Sequence, residues 1–223
     1  MADPLSLAIL GGTGPQGSGL ALRWARAGHR VTIGSRDAAK SAECAADLSR
    51  KLDDVRIDGA SNEAALANAE IAILTVPYAA QRAVAESARA QLQGKILIDV
   101  TVPLMPPKVG TVQLPAGGSA VVALQQALGD SVRVVSAFQN ISAQHLHDLD
   151  HDIDCDVLVC GDDKAACETT IALAEAAGMR GWHAGPLANS AAAEALTSVL
   201  ITLNRRYKIA GSGIRITGEP AAP

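Results

Sequence analysis

Short apolar runs alternate along the chain with longer segments in which apolar and polar positions mix at helical spacing. The apolar runs predict strands at 5–10, 30–34, 56–59, 71–76, 95–100, 132–137, 156–160 and 180–184. The segments between them predict a helix after residue 17 and helices at 37–51, 62–69, 79–92, 119–128, 164–177 and 190–206. This alternation indicates an α/β protein with a Rossmann-type, doubly wound and mostly parallel sheet.

The last part of the chain departs from this alternation. We expect residues 1–184 to form the sheet domain, and residues 185–223 to form a small helical segment that closes a cleft beside the sheet. The long helix of this segment is apolar nearly all round, and such a helix needs cover on several sides. We therefore predict that it packs on its own sheet and on a second subunit, in a two-fold homodimer. Residues 218–223 are predicted to be disordered.

Composition and charge narrow the classes of function. The chain has 223 residues, of which 48% are hydrophobic, but it has only two Trp, two Tyr and one Phe, so the core must be aliphatic. A net charge of -4 gives no sign of a basic surface for nucleic acid or for a membrane. The N-terminus lacks a basic leader and the apolar runs are too short to cross a bilayer, so we expect a cytoplasmic protein.

The four cysteines form no C-x-x-C pair, which argues against a zinc or thiol-redox motif. A metal site could be imagined from Cys155, Cys160 and the histidines and acids of residues 145–156. A strand at 156–160 would turn those two cysteines away from a common site, so we expect no bound metal.

A glycine turn follows the first predicted strand. Gly12, Gly14 and Gly17 have the G-x-G-x-x-G spacing, with Thr13, Pro15 and Gln16 between them. Glycine is needed because side chains would prevent both the tight turn and the close approach of a pyrophosphate, which the first N–H groups of the helix then bind. The strand before the turn and the helix after it favour dinucleotide binding. The alternative is a glycine-rich turn that holds no ligand.

The end of the second predicted strand indicates which dinucleotide is bound. An Asp or Glu usually accepts a hydrogen bond from the ribose 2′-hydroxyl about 20 residues beyond the glycines. Here Ser35 and Arg36 occupy that place, and Lys40 follows one helical turn later. Two cations in place of a carboxylate favour a 2′-phosphate, and so NADP over NAD. The alternative is a solvated basic helix start.

Two further strands end in Val-Pro steps, Val76–Pro77 and Val102–Pro103. Ligands of doubly wound sheets lie at the carboxyl ends of strands, so these steps are candidates for contacts with the outer ribose and the nicotinamide. Proline that merely ends a strand explains them equally well.

The predicted cleft is poor in groups that move protons. The helix that should cover it offers Asn189, Ser190, Glu194 and Thr197, without the Lys of a hydroxyacid dehydrogenase; His183 and Tyr207 are the remaining candidates. This favours hydride exchange between two cofactors that the protein aligns. The basic residues near the C-terminus would hold an anionic tail of the second cofactor, or they complement the helix dipole: Arg205, Arg206, Lys208 and Arg215.

Motifs along nearly the whole chain resemble those of NADPH-dependent F420 reductases. They are Leu10-Gly11-Gly12-Thr13-Gly14, Gly34-Ser35-Arg36, Leu74-Thr75-Val76-Pro77, Val134-Val135-Ser136-Ala137, Val159-Cys160-Gly161-Asp162-Asp163 and Ala184-Gly185-Pro186-Leu187-Ala188-Asn189. The resemblance implies direct, reversible hydride transfer between nicotinamide C4 of NADP and C5 of the deazaflavin coenzyme F420, without an essential acid–base residue. It implies NADP contacts at Thr13, Gly14, Pro15, Gln16, Ser35, Arg36, Lys40, Val76 and Val102. It also implies that Ile141 and Ala143 lie near the stacked rings and Ser212 near the deazaflavin.

Two positions depart from the pattern of this family. Gln139 stands where archaeal members have His, and Ala191 stands where an Arg usually follows the Asn-Ser pair. The loss of a cation at residue 191 bears on the affinity for the deazaflavin more than on NADP binding. Two other functions therefore stay open: an NADPH-dependent reductase of a flavin, ferric chelate or imine, and a non-catalytic NADPH-binding sensor.

Overall fold

An eight-stranded sheet forms the centre of the molecule in the computed structural model, which describes residues 3–53 and 55–218. Its strands are β1 (Ser6–Leu10), β2 (Arg30–Ser35), β3 (Ile57–Ser61), β4 (Ile71–Leu74), β5 (Ile96–Asp99), β6 (Arg133–Ser136), β7 (Val157–Gly161) and β8 (Gly181–His183). Their order is β3-β2-β1-β4-β5-β6-β7-β8, and neighbours are parallel except β6 and β7. The predicted doubly wound, mostly parallel sheet is confirmed.

Helices connect the strands. They are α1 (Pro15–Arg26), α2 (Ala38–Ser49), α3 (Asn62–Ala67), α4 (Tyr78–Ser87), α5 (Arg89–Leu92), α6 (Ala120–Leu128), α7 (Ala143–His147), α8 (Lys164–Ala176) and α9 (Ser190–Tyr207). The prediction of one helix at 79–92 is wrong, because Ala88 leaves helical geometry (φ -94, ψ 0) and separates α4 from α5. The short α7 lies in a connection for which no element was predicted.

Alternation along the strands builds a core on each side of the sheet. In β1, Leu7 and Ile9 pack with α1, α2 and α8, whereas Ala8 and Leu10 pack with α3, α4, α5 and α6. Both sets of side chains are 0–1% exposed. A strand of a parallel sheet that is covered on both faces has a continuous run of apolar residues in its sequence, which explains the pattern of β4.

The connection between β6 and β7 is anchored by a buried arginine. Arg23 of α1 is 9% exposed, and none of its hydrogen-bond partners within residues 3–53 and 55–218 is a carboxylate. Its guanidinium donates to the backbone carbonyls of His145, Leu146, Asp148, His151 and Ala177. Burial lowers the pKa of this guanidinium. Arg23 therefore holds α7 and the rest of this connection against α1.

The chain beyond β8 lies across one end of the sheet. Glu194 of α9 is 1% exposed, and its carboxylate accepts hydrogen bonds from Ser119 Oγ (2.6 Å) and Ala120 N (2.8 Å) at the start of α6. After α9, Asp156 N donates to the carbonyl of Ile214 (2.8 Å) beside β7. The predicted disorder of 218–223 lies, from residue 219 onward, outside the described residues. No helix of the described part combines the length and the apolar character needed to cross a membrane.

Candidate active site

A cleft of about 810 Å³ opens at the carboxyl ends of the central strands. Ten of the residues predicted to bind cofactors line it: Thr13, Gly14, Pro15, Gln16, Ser35, Arg36, Val76, Pro77, Val102 and Ile141. These residues follow β1, β2, β4, β5 and β6, which are neighbours in the sheet although they are far apart in sequence. The sheet order therefore assembles the cleft.

The turn after β1 is shaped by three glycines. Gly11 has φ +72, which side chains disfavour, and a Cβ there would overlap Val76 Cγ1. A Cβ on Gly12 would lie 2.8 Å from the carbonyl of Ile9, and one on Gly17 would lie 2.7 Å from Gly12 Cα. Gly12 and Gly17 do not line the cleft; they allow α1 to begin close to the end of β1. Gly11 was missed by the sequence motif, although it stands next to it.

The start of α1 points into this turn. Gly14 is its N-cap, with extended dihedral angles (φ -75, ψ 162), and Pro15 occupies the first turn. The first N–H groups of a helix have no acceptors within the helix, so they suit an anion such as a pyrophosphate. Gln16 Nε2 also contacts the carbonyl of Phe138 at 3.5 Å, which ties the turn to the end of β6.

The cations near the end of β2 are exposed. Arg36 lines the cleft, whereas Lys40 lines an adjoining depression that it shares with Thr13. Neither forms an ion pair with any residue that the structure describes. The carboxylate of Asp37, which stands between them in sequence, caps α2 by accepting from Ala39 N (3.1 Å) and Lys40 N (3.3 Å). Both cations are therefore available to a phosphate.

Besides Gly12, Gly17 and Lys40, three more residues predicted to bind cofactors do not line the cleft. Pro103 is not among its lining residues, and Ala143 begins α7. Ser212 lies in a second cavity of about 210 Å³, beside His145 and Cys155. Its backbone N donates to Asn204 Oδ1 (2.8 Å) and its hydroxyl to the carbonyl of Leu200 (3.3 Å). The structure therefore brings Ser212 to α9 and not to the cleft wall.

Other lining residues were not predicted from the sequence. Tyr78 and Ala80 come from the start of α4, and Thr101 follows β5. Thr197 of α9, which the sequence placed on the helix expected to cover the cleft, does line it. Leu104, Pro106 and Val109 belong to the connection after β5 and add an apolar wall. The Val76–Pro77 and Val102–Pro103 steps point to two of these segments, but no pattern shows that the loop at 104–109 lies over the cleft.

The chain turns sharply where β6 ends. Phe138 is fully buried, packs edge-on against Trp24 (5.7 Å between ring centroids) and has φ +69, which is unusual for a residue other than glycine. This strained turn brings Gln139 to the cleft, where its Nε2 donates to the carbonyl of Asp99 (2.8 Å). Thr197 Oγ1 donates to the Gln139 carbonyl (2.7 Å). Gln139 Oε1 is buried and has no hydrogen-bond partner among the described residues.

Two carboxylates are buried behind this wall. Asp99 is 0% exposed; its carboxylate accepts from Gln81 Nε2 (2.5 Å) and Thr101 N (2.9 Å). Burial raises the pKa of Asp99 to about 6, although hydrogen bonds from Thr101 and Gln81 oppose the shift and Glu194 adds to it. Glu194 accepts a further bond from Ser190 Oγ (2.7 Å). Neither carboxylate has an ion-pair partner among residues 3–53 and 55–218.

The groups proposed as proton carriers are not at the cleft. His183 and Tyr207 are exposed and do not line it, whereas Tyr78 does. Of the C-terminal cations, Arg215 is ion-paired with Asp154 and Asp156. Within the described part of the chain, no three His, Cys, Asp or Glu side chains are grouped as a metal site. The cleft thus has apolar walls that suit flat rings, with the glycine turn and Arg36 at one end and Lys40 in the adjoining depression.

Comparisons with known proteins agree with this geometry. Residues 6–103 match the family model described as "NADP oxidoreductase coenzyme F420-dependent". The chain is 41% identical to the F420-dependent NADP reductase of Methanothermobacter thermautotrophicus, over 97% of this chain and 96% of that protein. It is 40% identical to the F420-dependent NADP reductase of Methanocaldococcus jannaschii, over 96% of this chain and 98% of that protein.

A solved structure from Arthrobacter sp. FB24, described as a candidate F420-dependent NADP reductase, superimposes with a TM-score of 0.79 at 27% identity. The match covers 96% of this chain and 100% of that chain. The identity of 40–41% to the two archaeal reductases covers nearly their full length and so includes the segments outside the nucleotide-binding turn. The chain belongs to the family of coenzyme F420-dependent NADP oxidoreductases.

Proposed function

We propose that this protein transfers a hydride directly and reversibly between NADP(H) and coenzyme F420. The observation that carries the proposal is the cleft itself, which runs from the exposed Arg36 through the glycine turn to an apolar region at the ends of β5 and β6. The near full-length identity to F420-dependent NADP reductases supports F420 as the second substrate. When both are bound, the hydride passes between nicotinamide C4 and deazaflavin C5.

The glycine turn and α1 supply the proposed NADP contacts. Thr13, Gly14, Pro15 and Gln16 would hold the pyrophosphate, in a turn that Gly12 and Gly17 allow to form. Ser35, Arg36 and Lys40 would hold the 2′-phosphate. A charge-assisted hydrogen bond from each cation suits a phosphate dianion better than a neutral hydroxyl. Both cations have no competing ion pair among the described residues, which supports this assignment.

The walls would position the two rings. Val76, Pro77 and Val102 would contact the ribose and nicotinamide, and Ile141 would lie near the stacked rings. Pro103, Ala143 and Ser212 do not line the cleft and are assigned no contact with the rings. The lining side chains exclude water and fix the separation of the reacting carbons, which supplies much of the rate enhancement when both partners carry their own redox chemistry. No side chain is proposed to move a proton.

We divide the chain into the NADP-binding domain of residues 1–184 and the C-terminal segment of residues 185–223. This segment would close the cleft, since Thr197 of α9 lines it. It would also form a two-fold homodimer, because Val199 of α9 is 45% exposed and the nearby connection exposes Met105 (50%) and Val112 (43%). Thr202 Oγ1 of α9 donates to the carbonyl of Gly110 in that connection (2.7 Å). Sedimentation at micromolar concentration tests this, and a stable monomer would contradict it.

We further propose that the enzyme acts in the cytoplasm.

One assay tests the proposed reaction. The enzyme is mixed with NADPH and oxidised F420, and the absorbance bands of both cofactors are followed; parallel reactions keep NADPH as the hydride donor and replace F420 by a flavin, a ferric chelate or a cyclic imine. Turnover with F420 that exceeds every other acceptor supports the proposal. Turnover with only a flavin, a ferric chelate or an imine would show that F420 is not the acceptor. Tight NADPH binding without any turnover would indicate a sensor.

A further inference from the structure

The buried Asp99 carboxylate lies directly behind the cleft wall and plays no part in the reaction as described so far. Thr101 and Gln139, which line the cleft, both contact Asp99: Thr101 N donates to its carboxylate, and Gln139 Nε2 donates to its backbone carbonyl. The third contact is Gln81 Nε2 of α4. All three donors are neutral, so they leave the negative charge of the ionised carboxylate uncompensated.

The sheet order places Asp99 beneath the nicotinamide half of the cleft, if the proposed function holds. The 2′-phosphate cations follow β2 and the glycine turn follows β1, so the rest of the dinucleotide extends over the ends of β4, β5 and β6. Asp99 is the last residue of β5, paired with Leu74 of β4 and Ser136 of β6. The adenine end, by contrast, lies three strands away, about 14 Å at the usual spacing of strands.

The wall at this place offers no other charge. Among the described residues that line the cleft, Arg36 is the only charged one, and it lies at the opposite end. The nicotinamide ring is positively charged in NADP⁺ and neutral in NADPH. Gln139 Oε1, buried without a donor, adds a second electronegative group. Its orientation is fixed, because turning the amide over would direct Oε1 at the carbonyl of Asp99.

We propose that the Asp99 carboxylate makes the floor of the cleft electronegative and thereby favours the oxidised, positively charged nicotinamide over the reduced one. The carboxylate does not touch the ring; its field acts through the wall, where the low polarity of the surroundings weakens screening. It stabilises the charge that arises on the ring as the hydride leaves. Of the two nucleotides bound alone, the site therefore prefers NADP⁺ to NADPH.

A cost in stability supports a functional reason for this residue. Burial raises the pKa of Asp99, so keeping its carboxylate ionised at neutral pH opposes folding. A neutral Asn would make the same hydrogen bonds without that cost, since the amide of Gln81 can turn over to accept.

Binding of the two nucleotides alone, without F420, tests the proposal. Dissociation constants of NADP⁺ and NADPH are measured for the wild type and for Asp99→Asn at pH 8. At an effective dielectric constant of about 20, unit charges about 10 Å apart change a binding equilibrium by roughly tenfold. We expect Asp99→Asn to weaken NADP⁺ binding by about tenfold and to leave NADPH binding within about twofold.

The control removes the same charge elsewhere. Asp130 is exposed and precedes β6 at the opposite end of the sheet, so Asp130→Asn should leave the ratio of the two constants unchanged. An unchanged ratio of the two constants in Asp99→Asn would overturn the proposal. If both affinities fell equally, the role of Asp99 would be structural. Failure of the wild type to bind either nucleotide would overturn the proposed function instead.

A second measurement needs no variant. Lowering the pH of the wild type from 8 to 5 protonates Asp99 and should reduce its preference for NADP⁺ by a similar factor. The groups that face Asp99 are Gln81, Thr101 and Gln139, which do not titrate; Glu194 acts on it through space. The 2′-phosphate titrates in both nucleotides and cancels in the ratio. A ratio independent of pH would contradict the proposal.

Discussion

Substitution of Gly11 by Ala separates backbone strain from loss of the nucleotide site. Gly11 has φ +72, and a Cβ there would overlap Val76 Cγ1, in the wall of the cleft. Gly94 has the same φ of +72 and precedes β5, but a Cβ there meets nothing within 4 Å. Gly94→Ala is therefore a matched control that carries the strain without the overlap.

The two costs differ in size. A side chain in the left-handed region costs about 1–2 kcal/mol, and this applies to both variants. At Gly11 the added methyl must also displace Val76, and such overpacking costs roughly 1–3 kcal/mol more. We expect Gly94→Ala to lower the free energy of unfolding by about 1–2 kcal/mol and Gly11→Ala by about 2–5 kcal/mol.

The informative readout is nucleotide affinity. Guanidinium unfolding gives the stability of each variant, and fluorescence titration gives the dissociation constant of NADPH. Because Val76 lines the cleft beside the turn, we expect at least a tenfold weaker NADPH affinity in Gly11→Ala and less than a twofold change in Gly94→Ala. If both variants bound NADPH as the wild type does, the turn after β1 would not be the pyrophosphate site.

Three further outcomes test other parts of the structure. Arg36→Ala should raise the KM for NADPH roughly ten- to hundredfold and leave the KM for NADH within about threefold. The control Arg30→Ala, at the other end of β2, should change neither KM. Equal effects of Arg36→Ala on both nucleotides would refute the NADP assignment. Glu194→Ala leaves three buried donors, Ser119 Oγ, Ala120 N and Val121 N, without the acceptor that Glu194 provides, and should cost at least about 3 kcal/mol in denaturant unfolding. The exposed Glu175→Ala should cost about 0.5 kcal/mol, and similar values for the two variants would contradict the buried contact. Because burial raises the pKa of Asp99 to about 6 in the folded state, the free energy of unfolding of the wild type should fall as pH rises from 4 to 7. Asp99→Asn lacks this titration and should become more stable than the wild type by up to about 3 kcal/mol over that range. A stability difference independent of pH would contradict the raised pKa.

The fold was predictable because its signals are local. The strands of this sheet are apolar runs bounded by polar segments, and each predicted strand lies within two residues of the observed one. The five residues of α7 are too few to show helical periodicity, and its place depends on the distant Arg23. Nothing in the alanine-rich sequence around Ala88 marks the break between α4 and α5.

The cleft was only partly predictable. Gly14, Ser35 and Arg36 stand in motifs whose spacing is tied to their chemistry, and the structure places them on the wall. Ser212 and Gln139, in contrast, depend on how remote segments cross, which no pattern in the chain records. Gln139 reaches the cleft because Phe138 adopts a strained backbone, and that strain is visible only in the folded structure.

Isotope transfer tests the central claim most directly. NADPH deuterated at nicotinamide C4, on one face and then on the other, is reacted with oxidised F420 in ordinary water. If the cleft holds the two rings face to face, deuterium from one face alone appears at C5 of the reduced deazaflavin, and none enters the solvent. Loss of the label to water, transfer from both faces, or reduction of F420 without the label whichever face is deuterated would contradict direct transfer in this cleft.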